Sequence, residues 1–172
     1  RPGVVHGASW AVSLDAPELE RAAGASVELG YRLPYRHEGD LAGFELQSVT
    51  GRLQPYLHVL RAERIALRVH AGAAAELLII EPYLLSPDAT AAPARVRVAP
   101  IVRAGLTVEP RIAGETTLVV GLALDVDIIG TRYSVQDGDE VIPLVEPLRV
   151  RPALTIGVAT TLAGGDRFPA EP

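Results

Sequence analysis

Apolar and polar residues alternate almost without a break from Ala94 to Glu109. The even positions there are Ala94, Val96, Val98, Pro100, Val102, Ala104, Leu106 and Val108, whereas the odd positions include Arg95, Arg97, Arg103, Thr107 and Glu109. Successive side chains of a strand point to opposite faces, so the segment predicts a β-strand with one apolar and one charged face. The same period of two predicts seven strands in all: Val4 to Leu14, Ala25 to Leu33, Phe44 to Leu60, Arg64 to Pro82, Ala94 to Glu109, Thr116 to Tyr133, and Leu148 to Leu162. In the fourth, Ile65, Leu67, Val69, Leu77 and Ile79 oppose Arg64, Arg68, His70 and Glu76; in the sixth, Leu118, Val120, Leu122, Leu124 and Val126 oppose Thr117, Gly121, Asp125 and Asp127. The last sets Val150, Leu154, Ile156 and Val158 against Arg149, Arg151, Thr155 and Gly157. Strands this long are able to span ~25 Å of hydrocarbon if the apolar face of their sheet points outward.

The joints between strands are Pro34 to Gly43, Arg61 to Glu63, Ser86 to Pro93, Pro110 to Glu115 and Gln136 to Asp139. Between the first two strands, Asp15-Ala-Pro-Glu18 reads as a capping box with Gly24 as a stop, which predicts one or two helical turns. Arg52, Arg97 and Arg149 each precede a proline by three residues, a weak echo in alternate strands, and no longer repeat appears. Pro55, Pro100 and Pro152 lack the N–H that a paired strand donates, so β-bulges are expected at them.

Composition changes this picture in four ways. The 172 residues fit one domain spanning residues 1–172. A net charge of −5 provides no basic field for nucleic acid, so no nucleic-acid partner is expected. No cysteine is present, which removes disulfides and thiolate metal sites, and every basic residue is arginine, a bias that fits a GC-rich genome. The longest apolar runs, such as Leu77 to Ile80, are far short of the ~20 residues of a membrane helix. An initial Arg fits a removed leader, a cut chain or an upstream region, and the sequence does not choose among them.

Long alternating strands, inner faces that mix Gly, Ala and Thr with charges, and a final strand Arg151-Pro-Ala-Leu-Thr-Ile-Gly-Val-Ala-Thr-Thr-Leu162 together resemble the small outer-membrane β-barrels of Gram-negative bacteria. The resemblance implies an all-β, antiparallel, up-and-down transmembrane barrel of about eight strands. It also implies outer-membrane lipid as surroundings and outer loops that meet a protein partner or the cell exterior. With the last strand ending in the periplasm, Arg61 to Glu63 and Pro110 to Glu115 become periplasmic turns, and Tyr31, Tyr35, Phe44, Tyr83 and Tyr133 fall at the outer rim as an aromatic girdle. Seven strands is one short of an even barrel. The eighth is expected inside Phe44 to Leu60, inside Val141 to Leu162, or upstream of Arg1.

The inward charges of such a barrel are Glu28, Arg32, Arg52, Arg68, Glu76, Arg95, Arg97, Arg103, Glu109, Asp125, Asp127, Arg149 and Arg151, with His58 and His70. Arg68, His70, Arg95, Arg97, Arg103, Asp125, Asp127, Arg149 and Arg151 are the candidate lumen site. Two readings compete for them. Arginine–carboxylate pairs plug the lumen, with Arg95, Arg97 and Arg103 paired to Asp125, Asp127 and Glu109 or Glu76; or the surplus of arginine makes an anion-preferring, porin-like pore. His58 and His70 share the inner face and are able to meet across a strand pair, with Ser48 nearby, but no hydrolase or metal motif accompanies them, so neither a catalytic residue, nor a metal, nor a cofactor is expected. Gln136-Asp-Gly-Asp-Glu140 reads as a turn rather than a calcium loop. The reading is a structural or interaction protein and not an enzyme. Its alternatives are the pore, a soluble β-sandwich or lipocalin-like binder, and, last, an outer-membrane lipid hydrolase.

Overall fold

Among the described residues period-two alternation builds nine strands, seven of them in one antiparallel sheet. The computed structural model describes residues 6–16, 22–38, 42–84, 95–130, 133–137, 140–145 and 149–161. The strands are β1 (Gly7–Asp15), β2 (Ala23–Glu38), β3 (Ala42–Ala62), β4 (Ile65–Leu84), β5 (Arg95–Ala113), β6 (Thr116–Asp127), β7 (Tyr133–Asp137), β8 (Glu140–Val145) and β9 (Val150–Thr160). The main sheet has the order β1-β2-β3-β4-β5-β6-β9, and β7 and β8 pair only with each other.

Burial shows which way the sheet curls. On the convex face Leu14, Ile156 and Val158 are 73%, 69% and 69% exposed, while on the concave face Glu76 and Glu109 are 1% and 2% exposed. A flat sheet would expose both faces alike, so the polar face has curled over itself into a half-barrel. Register carries the arrangement: Glu28 lies opposite Arg52, Arg52 opposite Ala74, Ala74 opposite Ile101 and Ile101 opposite Asp127, all on the inner face. The outer positions that flank these residues, such as Val27, Leu29, Leu53, Ala73, Val102 and Val126, are apolar.

The two ends of the sheet differ. At one, Glu63-Arg64 joins β3 to β4 and Gly114-Glu115 joins β5 to β6; Gly114 has φ +52°, the left-handed region that favours glycine, and its carbonyl accepts from Arg111 Nε at 2.6 Å. At the other, longer connections join β4 to β5 and β6 to β9, the latter carrying the β7–β8 hairpin. These are called here the turn end and the loop end.

Several expectations need correction. Phe44 to Leu60 is one unbroken strand and holds no eighth. The sixth strand stops at Asp127 instead of reaching Tyr133, because Asp127 Oδ1 accepts the backbone N–H groups of Ile129 and Gly130 at 3.1 Å and turns the chain out of the sheet. Gln136 and Asp137 belong to the β7–β8 hairpin, whose strand pairing within Val141 to Leu162 leaves the main sheet no additional member. The expected helix between Asp15 and Gly24 lies largely outside the described residues.

No bulge sits at Pro55, Pro100 or Pro152. Each proline is tolerated for its own reason. His58 N–H donates to Ala22, just before β2, so by alternation the Pro55 nitrogen faces β4, and there the β3–β4 ladder skips from Leu53–Ala73 to Tyr56–His70 without a shift of register. A Cβ on Gly72, beside that gap, would collide with the Leu53 carbonyl and Gln54 Cα, so glycine is needed there. The Pro100 carbonyl accepts from Ile128, just past the last residue of β6, so its nitrogen faces the end of a ladder. Pro152 lies on edge strand β9; since Asp127 donates to Arg149, the Pro152 nitrogen points away from β6 to the open edge. The bulge between Arg32 and Tyr35 instead contains Pro34.

The charged interior as candidate functional site

Three groups of side chains occupy the concave face. Nearest the loop end, Glu76 gathers partners from three other strands. Its Oε1 accepts from Ser48 Oγ at 2.8 Å and lies 2.9 Å from Arg32 Nη1, and its Oε2 lies 3.0 Å from Arg151 Nη2. Thus one carboxylate on β4 ties β2, β3 and β9 together.

In the middle, two guanidiniums and two carboxylates form a closed quartet. Arg52 pairs with Glu28 at 2.8 Å and approaches Asp125 at 3.9 Å, while Arg103 lies 3.3 Å from Asp125 and 3.8 Å from Glu28. Gln54 Nε2 donates to the second Glu28 oxygen at 3.1 Å. The quartet is neutral, as burial demands, since an uncompensated ion in a low-dielectric interior costs several kcal/mol. Its contacts cross the trough, β2 to β5 and β3 to β6, as well as linking neighbours.

Toward the turn end, Arg68 pairs with buried Glu109 and stacks over the Tyr56 ring at 4.8 Å. The Tyr56 hydroxyl donates to Asp15 Oδ1 at 2.5 Å, and His58 meets the Tyr56 ring edge-on with its Nε2 3.6 Å from the same carboxylate. Asp15 closes the first strand onto β3.

Of the nine candidate residues, Arg68, Arg103, Asp125 and Arg151 enter these groups. Arg151 lies opposite Asp125 in register, yet its guanidinium reaches Glu76. Arg95 and Arg97, expected to pair with carboxylates, make no ion pair among the described residues: the acids within reach of their strand already serve Arg32, Arg52, Arg103 and Arg151. Arg95 and Arg149 are exposed at the loop end. Asp127 turns one oxygen to the backbone of the following turn. His70 lies opposite Tyr56 and packs on Gly105, so the two histidines do not face each other across the β3–β4 pair. Among the described residues no group of three His, Asp or Glu side chains gathers to hold a metal.

Glu28, Arg52, Glu76 and Glu109 do more in this network than the candidates Arg95 or Arg97, and Tyr56, Ser48 and Asp15 were not singled out by charge at all. Their signal in the sequence is parity alone: each falls on the inner-face register of its strand.

The proposed girdle divides. Tyr31 and Tyr83 face outward at the loop end, Tyr31 donating to Gln47 at 3.1 Å and Tyr83 lying over Gly43 and donating to Glu38 at 3.3 Å. Phe44 is inward and buried, and the bulge around Pro34 carries Tyr35 to the inner face. Outside the sheet's apolar band, Arg36 pairs with Glu45 at 2.8 Å, and that hydrogen bond raises the guanidinium pKa further.

Between the groups lies a cavity of about 130 Å³, lined in part by Ser9, Ser13, Gln54, His70, Thr107 and Thr155. It is room for a few waters or one small polar molecule. Compared with protein-family models, curated proteins and solved structures, the chain finds no significant match to any of them.

Proposed function

We propose that this chain is the greater part of a β-barrel in a bacterial outer membrane, with a structural or interaction role carried by its loop end and an interior closed by arginine–carboxylate pairs. One observation carries the reading: burial is inverted, with the apolar convex face bare and the charged concave face covered. In water that arrangement would leave a large apolar surface exposed on every strand of the main sheet. Hydrocarbon outside and ion pairs inside make it the favourable one. A lipocalin-like binder supports the opposite polarity, apolar within and charged without.

The lengths of the connections agree with this reading. The two two-residue turns lie at one end and the two longest connections, β4 to β5 and β6 to β9, at the other, which matches the periplasmic and outer sides of such barrels. Tyr31 and Tyr83 would sit at the outer interface, where amphipathic rings are favoured.

A second reading, an anion-preferring pore, draws on Arg95 and Arg97, which make no ion pair among the described residues. Against it stand the small cavity and the pairs crossing the trough, since barrels of about eight strands have interiors just filled by side chains. The experiment that decides is purification with and without detergent followed by reconstitution in planar bilayers. A detergent-dependent, heat-modifiable protein without single-channel steps fits the plugged barrel; anion-selective steps convert the reading to a pore; a monomer soluble in buffer removes both.

A further inference from the structure

β1 and β9 are the two open edges of the main sheet, and they run in the same direction. Six antiparallel steps separate them, so the last strand repeats the sense of the first. Direct closure would therefore be a parallel seam, whereas one added strand makes every pair antiparallel.

The two edges are prepared for such a strand. His6 accepts from Leu33, and Ala16 donates to Ala23, so the even residues of β1 bond to β2 and the N–H and C=O groups of Ser9, Ala11 and Ser13 face outward. On β9 the outward groups are those of Leu154, Ile156 and Val158, with Pro152 absent as a donor near the loop end. Both edges thus present a row of backbone groups without a partner among the described residues, which an exposed sheet edge does not ordinarily keep.

Space is also left for it. The inner side chains of the central strands include the large, buried Glu76, Ile101, Arg103 and Glu109, whereas β1 offers Ser9, Ala11 and Ser13, and β9 offers Ala153, Thr155 and Gly157. A Cβ on Gly157 would meet nothing within 4 Å, while one on Gly72 or Gly105 in the middle of the sheet would collide. Ser9 and Ala11 are exposed although they lie on the inner face, and the cavity runs beneath both edges.

We propose that the gap between β9 and β1 is a slot for one further β-strand, antiparallel to both, apolar outward and bulky inward, supplied by the same polypeptide upstream of Arg1. Such a strand runs from the turn end to the loop end and leaves beside residue 6, the end at which β1 begins. The residues after β9 include Gly164, Gly165, Pro169 and Pro172, a composition that does not suit a strand paired on both sides, since each proline lacks the N–H such a strand donates. The hairpin β7–β8 adds two strands, an even number, and would leave a parallel seam. A second copy of this chain, placed the same way up, also meets these edges in parallel.

This proposal deepens the barrel reading, but its test is separate from lipid. Residues 1–172 contain no cysteine, so an introduced thiol is unique there, and any cysteine upstream of Arg1 is replaced by serine. Gly157→Cys, and Glu115→Cys as an exposed control, are made both in residues 1–172 and in the polypeptide extended to its natural start, and are labelled with a water-soluble maleimide in detergent. We expect Gly157→Cys to label at least about a hundredfold more slowly in the extended protein, with Glu115→Cys unchanged. Equal labelling in both lengths, protection already complete in residues 1–172, or protection that needs a second protein or rises with concentration overturns the proposal. Cysteine pairs joining Ser9, Ala11 or Ser13 to Thr155 should form no disulfide, because edges separated by one strand lie ~10 Å apart and a disulfide needs Cα atoms within ~7 Å. A disulfide in the extended protein means direct parallel closure and also overturns it. Solubility without detergent would remove the membrane reading while leaving the slot to stand or fall on the labelling.

Discussion

Glu76 shows how a single residue holds the interior. With 1% of its surface exposed and two guanidiniums and a hydroxyl on its two oxygens, it is the anion that makes Arg32 and Arg151 tolerable inside the sheet. Glu76→Gln keeps the volume and removes the charge, leaving two cations beside a neutral amide; about 3–5 kcal/mol of stability is expected to be lost, read as a lower Tm in detergent without new conductance. Asp125→Asn acts on the quartet, where Arg52 and Arg103 retain Glu28 as a shared partner, so a smaller loss of roughly 1–3 kcal/mol is expected in the same melting experiment. An open, hydrated lumen predicts the reverse. Both variants would then melt within about 1 kcal/mol of the parent and shift ion selectivity.

At the level of the element, alternation made the strands legible. All seven members of the main sheet appear in sequence at the expected places, and the inner and outer faces follow from residue parity, because a strand has a local period that needs no knowledge of its neighbours. What alternation does not carry is where a ladder ends or who sits across the trough. Asp127 ends β6 by binding its own downstream backbone, and Arg151 passes over Asp125 to reach Glu76; both depend on three-dimensional placement. Prolines were misread for the same reason, since the cost of a missing N–H depends on which side of the strand it faces. The convex face offers the matching prediction. Val102→Asp or Leu122→Asp puts a carboxylate on the exposed apolar side of β5 or β6, and at a hydrocarbon midplane a charge costs ~2–4 kcal/mol for the worst residues and somewhat less for Asp; folding into lipid vesicles, followed by the heat-dependent shift on a gel, should fail or fall sharply. Normal folding of both variants would sink the membrane reading. Gly114→Val tests the turn end: a β-branched residue at φ +52° should cost at least about 1–2 kcal/mol, measured as a lower urea midpoint.

The whole molecule is a meander closed by contacts between distant parts of the chain. Its two ends predict its orientation: on intact cells an added protease should cut within Ser86 to Pro93 and near Asp137 to Glu140 before it touches Pro110 to Glu115, and the opposite order of fragments would invert the sheet in the membrane. The interior pairs have a consequence for time as well as for energy. Five of the six ladders of the main sheet join strands adjacent in sequence, so they are able to form one after another, but Arg151 and Glu76 are 75 residues apart and meet only when β9 has docked and the sheet has curled. The ion pairs are thus latches set late. A change in a latch should leave the rate of folding nearly untouched and appear almost wholly as faster unfolding, so that Glu76→Gln shortens the lifetime of the folded protein in urea while its refolding phase keeps its parent rate.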